Sequence, residues 1–143
     1  MLLKGGVRMA EYTLTTPTAV AVGGTVPYNN TIMRGCCNIR KRSGSGQITV
    51  KGGTCCNPAR YMVYFHGNVT GVAGAIQLAL YLDGEQLPET LMSVVPAAAS
   101  DVWSVCAKTE FCVDCCCGTV SARVVTGDTV TVQNAAIIVK KEV

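Results

Sequence analysis

The sequence predicts an all-β fold, a single-domain sandwich of about ten short antiparallel strands. Three observations predict it. Apolar and polar residues alternate over Arg60 to Thr70 and again over Ala75 to Leu82; glycine-rich and Asp-Gly turns punctuate the short apolar runs; and no segment shows helical periodicity. The chain has 143 residues, enough for one domain to bury roughly two thirds of its unfolded surface.

The strands are placed in order. Downstream of Met9 they are expected at Glu11 to Leu14, Ala19 to Val22, Ile32 to Ile39, Gln47 to Val50, Ala59 to Thr70, Ala75 to Leu82, Leu91 to Val95, Val102 to Val113, Thr119 to Val125 and Thr129 to Val139. Gly23-Gly24, the Ser43 to Gly46 stretch, Gly52-Gly53, Gly71 to Gly74 and Thr126-Gly127-Asp128 supply the turns between them. Ala97 to Ala99, preceded by Pro96, reads as a loop with at most one helical turn.

Arg60 to Gly84 reads as a central hairpin. Tyr61, Val63, Phe65, Gly67 and Val69 share one face of its first run, and Ile76, Leu78, Leu80 and Leu82 share one face of its second, because successive strand side chains point to opposite sides. Asp83-Gly84 suits a type I′ turn, in which both central residues need positive φ. The other faces carry Tyr64, His66, Gln77 and Tyr81, too aromatic for plain solvent and too polar for a core. These four are candidates for a subunit interface.

Composition points the same way. Hydrophobic residues make up 49% of the chain and charged residues 15%, and the mean hydropathy is +0.33, apolar for a soluble monomer. Assembly relieves that exposure. No run approaches the roughly 20 apolar residues of a membrane helix, so no membrane partner is expected. The amino terminus MLLKGGVRM lacks the apolar stretch of a secretory signal. Lys4-Gly5-Gly6 can be encoded by a bacterial ribosome-binding sequence, which would make Met9 the initiator and residues 1–8 a mis-called extension. The division expected is an arm over residues 1–22 and the folded domain over 23–143.

The succession ITVKGGT, YMVYFHGNVTG, IQLALYLDGEQLPET and GTVSARVVTGDTVTVQNAAIIVKKE resembles the jelly roll of the tumour necrosis factor-like superfamily, which includes complement globular heads. In style it is similar to bacterial and bacteriophage versions, such as the carboxy-terminal heads of collagen-like exosporium glycoproteins. The resemblance runs from about Gly23 to the end; a collagen-like stalk is missing, and Cys106 to Cys117 has no counterpart. It implies a jelly-roll sandwich that forms a homotrimer around a threefold axis and serves as a non-enzymatic display or adhesion module.

Nine cysteines stand out: Cys36-Cys37, Cys55-Cys56, Cys106, Cys112 and Cys115-Cys116-Cys117. Cys112-x-x-Cys115 with two thiolates from Cys36, Cys37, Cys55 or Cys56 would make a structural zinc or iron site, although closed zinc sites ordinarily show two such spacings. The same six thiols could form disulfides within or between subunits. Free thiols packed as small buried hydrophobes are the third reading. No cofactor is otherwise implied.

Other residues carry less. His66 is the only histidine, and its strand position without an orienting acid favours an interface or packing role over a Cys/His dyad. Arg34, Arg40, Lys41 and Arg42 form a basic stretch, but a net charge of +3 without interleaved aromatics argues for a solvated loop and against nucleic acid. KRSGSGQ lacks phosphate-loop spacing. The carboxylates lie mostly at predicted turns and do not pair for acid/base work. The expected function is a trimeric surface protein of a bacteriophage virion, a capsid decoration or head fibre assembled in the host cytoplasm onto a capsid or other particle surface and able to meet a host receptor. The alternatives are a bacterial spore-surface or adhesive head, and a cysteine-rich metal or redox protein.

Overall fold

A computed structural model describes residues 9–35, 38–42, 44–54, 56–71, 74–98, 101–114, 116–126 and 129–142. Its twelve strands are β1 (Met9–Leu14), β2 (Thr18–Val20), β3 (Asn30–Met33), β4 (Ile39–Lys41), β5 (Ile48–Lys51), β6 (Ala59–Thr70), β7 (Ile76–Leu82), β8 (Glu85–Gln86), β9 (Met92–Val94), β10 (Trp103–Val113), β11 (Cys117–Thr126) and β12 (Val130–Glu142). They form two antiparallel sheets. The first runs β10-β6-β12-β1-β3, with β2 following β1 along the same edge of β12. The second runs β4-β5-β11-β7-β8, with β9 also on β7. This is the jelly-roll sandwich that the turn spacing and the resemblance predict.

Strand alternation builds the core. Tyr61, Val63, Phe65 and Val69 of β6 turn inward, as do Val132, Ile137 and Val139 of β12. They meet Ile76, Leu78 and Leu80 of β7, Ile48 and Val50 of β5, and Val120 and Val124 of β11. Burying each such side chain contributes about 1.5 to 3 kcal/mol, so this layer dominates stability. Gly67 sits where β6 crosses a bulge in β12: a Cβ there would lie 3.0 Å from the Asn134 carbonyl oxygen. A larger residue would push the two strands apart.

Arg60 to Gly84 is not a hairpin. β6 pairs with β10 and β12 in the first sheet, whereas β7 pairs with β11, β8 and β9 in the second. Each run has one apolar face because each packs on the core from its own side. Alternation alone does not distinguish strands that pair from strands that face each other. The Asp83-Gly84 turn does form, between β7 and β8, with φ of 53° and 82°.

Two further expectations change. The strand expected over Ile32 to Ile39 is split between β3 and β4, in different sheets. Gly35 stands at the corner, where an added Cβ would fall 2.8 Å from the Ile39 Cβ. Residues 9–20, set apart as an arm, supply β1 and β2 instead; Ala10, Tyr12 and Leu14 are buried in the core, and β1 pairs with β12 over six residues. Residues 1–8 lie outside the described residues. A 3-10 turn forms at Pro88–Thr90, while the stretch Ala97 to Ala99, where the sequence allows a helical turn, lies partly outside the described residues.

Candidate binding surfaces

The outer face of the first sheet is ordered by register. His66 lies between Cys106 and Ala136, Tyr64 between Lys108 and Ile138, and Asn68 between Ser104 and Asn134. Toward the far end Met62 lies between Glu110 and Lys140, and Arg60 between Cys112 and Glu142. The centre therefore carries Tyr64, His66, Ala136 and Ile138 with Lys108 at its side, and the remaining charges gather at one end. The Tyr64 and His66 rings stand 5.6 Å apart at 45°.

Hydrogen bonds fix the polar end of this face. Ser104 donates its hydroxyl to Asn68 Oδ1 at 2.7 Å, and Asn68 Nδ2 donates to Asn134 Oδ1 at 2.9 Å. The chain spans β10, β6 and β12. Tyr64, His66, Asn68, Ser104 and Cys106 line a shallow cleft of about 360 Å³ beside it. A flat, partly apolar sheet face with a polar rim has the anatomy of a protein interface.

The four interface candidates do not share a surface. Tyr64 and His66 lie on the outside of the first sheet, while Gln77 and Tyr81 lie on β7 in the second. Gln77 Oε1 accepts the Thr126 hydroxyl at 2.8 Å, and the Arg123 guanidinium covers the Tyr81 ring at 4.9 Å. Both have partners within their own sheet. Grouping the four follows from reading β6 and β7 as paired. Ile138, Asn134 and Ser104 belong with Tyr64 and His66 instead, and only long-range pairing reveals it.

The basic stretch lines a cleft of about 600 Å³, with Arg34, Arg40 and Lys41 on its walls beside Asn29, Asn30, Tyr12 and Tyr28. Lys41 Nζ donates to the Arg42 carbonyl at 2.9 Å and to the Tyr28 carbonyl at 3.3 Å, and stands 5.1 Å from the Tyr12 ring centroid. Partial desolvation pulls its pKa below the usual lysine value. The Tyr28 hydroxyl is fully buried without a hydrogen-bond partner among the described residues, and burial pushes its pKa far up. At one end of the sandwich Val95, Val102 and Trp103 are exposed.

The cysteines are distributed differently from the packing expectation. Cys36, Cys37, Cys55 and Cys115 lie outside the described residues. Cys56, Cys106, Cys112, Cys116 and Cys117 are all free and exposed, so packing as buried hydrophobes does not account for them. Among the described residues, no three His, Cys, Asp or Glu side chains gather as metal ligands do.

Among solved structures the fold has many likenesses. The globular domain of zebrafish complement 1qA protein superposes with a TM-score of 0.68 at 12% identity, covering 92% of this chain and 94% of that one. Eiger TNF from S. frugiperda gives 0.67 at 11%, covering 94% and 92%. PRD1 vertex protein P5 gives 0.56 at 10%, covering 97% and 99%. These likenesses establish the tumour necrosis factor and complement-type jelly roll as the fold. No family model matches the sequence, and no curated protein matches it.

Proposed function

We propose that this chain is a non-enzymatic, homotrimeric surface module of a bacteriophage virion, carried on a capsid as a decoration or head fibre and reaching the particle from the host cytoplasm. The observation that carries the reading is the mixed aromatic and aliphatic outer face of the first sheet. Tyr64, Ala136 and Ile138 make an apolar centre there, and His66 extends it. Three copies meeting through this face would bury it, and the mean hydropathy of +0.33 calls for such burial.

The likeness to a vertex protein supports a place on a particle, and the complement and TNF likenesses support a module that binds through its surface. Fold likeness alone does not carry function. The direct test is mass spectrometry of density-purified particles from a culture that produces the protein. The proposal expects it in copy numbers that are multiples of three. Its absence from particles, with all of it in the soluble fraction, would overturn the reading.

A further inference from the structure

We propose that the groove over β4 and β5 binds an acidic glycopolymer, a chain of sugar or polyol units whose repeats carry a carboxylate or a phosphate. The net charge of +3 conceals an uneven spread: from Tyr12 to Leu82 the chain has no aspartate or glutamate, and Arg34, Arg40, Lys41, Arg42 and Lys51 all fall in that span. The fold then gathers these cations around β4.

Arg40 is the pivot. It is exposed on β4, opposite Thr49 of β5, and it lines three clefts. It shares the first, of about 600 Å³, with Arg34 and Lys41; the second, of about 600 Å³, with Lys41 and Arg42; and the third, of about 270 Å³, with Thr49 and Lys51. Shared walls make them one groove with a cation at each step. Among the described residues, no aspartate or glutamate lines any of the three. A cleft lined by one sign of charge concentrates ligands of the other.

This is not the solvated loop that the basic stretch suggests, because Arg40 and Lys41 belong to a strand. Lys41 is half-buried, and its ammonium is fixed by the Tyr28 and Arg42 carbonyls and the Tyr12 ring. Desolvation pulls its pKa down, a cost that an anion in the groove offsets. Asn30, Gln47 and Thr49 along the walls supply amides and a hydroxyl for a hydroxyl-rich chain. Nucleic acid fits less well: the rings beside the groove, Tyr12 and Tyr28, are buried and offer no face on which bases could stack.

The inference concerns a single chain and rests on neither the trimer nor the virion. Its test is biolayer interferometry of the full chain against immobilised polygalacturonate, glycerol-phosphate teichoic acid, neutral dextran and single-stranded DNA. Binding to one or both acidic glycopolymers is expected, and weakens as salt is added. Retention on polygalacturonate alone identifies the carboxylate source, and on teichoic acid alone the phosphate source. Arg40→Gln should weaken binding roughly tenfold, as the loss of one charged hydrogen bond does. Arg42→Gln should weaken it as well. Lys140→Gln removes the same charge from an exposed position on β12 and should leave binding unchanged. Failure to bind either acidic polymer, equal binding to DNA or to dextran, or an equal loss in Lys140→Gln would each overturn the proposal.

Discussion

The Thr90 hydroxyl accepts the Leu80 N–H at 2.9 Å and donates to the Leu87 carbonyl at 2.6 Å, so one side chain completes the edge of β7 where β8 stops and β9 has not begun. Thr90 is buried. Thr90→Val is expected to destabilise the fold by about 1 to 3 kcal/mol, because it leaves a buried donor and acceptor unmade. Thr90→Ser should retain most of the stability. Urea unfolding of the two variants checks this, and equal midpoints would refute it.

Tyr28 makes the opposite prediction. Its hydroxyl is buried without a partner among the described residues, so the folded state bears a desolvation cost that phenylalanine would not. Tyr28→Phe should raise stability by about 1 kcal/mol, in contrast to most core substitutions. A destabilised variant in the same urea experiment would contradict the assignment.

The same residue sets an alkaline limit. Burial raises the Tyr28 pKa far above its ordinary 10.0, and burial raises that of Tyr12 as well, with Arg34 partly offsetting it. A raised folded pKa gives stability that is complete below pH 10 and lost as pH rises above it, since the unfolded chain releases the proton first. Stability should fall from about pH 10 upward. Phenolate absorbance provides the check: Tyr28→Phe should leave the native titration unchanged and remove one phenolate from the denatured one.

At the β7–β8 turn, Asp83 has φ 53° and Gly84 has φ 82°. Asp83 Oδ1 also accepts the Thr119 N–H at 2.9 Å, and the Asp83 N–H donates to the Thr119 carbonyl at 2.8 Å. Gly84→Ala should cost about 1 kcal/mol or more, as the left-handed region penalises a Cβ. Calorimetric Tm values would show it, and an unchanged Tm would sink it.

What the sequence made legible is local. Alternation at Tyr61, Val63 and Phe65 and at Ile76, Leu78 and Leu80 located both core faces, and the bounds of β6 match the expected strand. Asp83-Gly84 identified its turn. What was hidden depends on distant pairing: whether β6 and β7 are neighbours or opposites is settled by β10, β12 and β11, far along the chain. Gln77 and Tyr81 were grouped with Tyr64 for that reason. The exposed position of Cys116 and its left-handed φ were equally invisible, because a cysteine triplet carries no periodicity that says where it folds.

Light-scattering mass of the purified protein at micromolar concentration decides whether the first sheet builds a trimer. The expected mass is three times the chain mass of 15.0 kDa, with a monomer for Tyr64→Arg with Ile138→Arg and an unchanged trimer for Gln77→Arg. A monomeric wild-type chain, or dissociation by the second-sheet substitution alone, would contradict it.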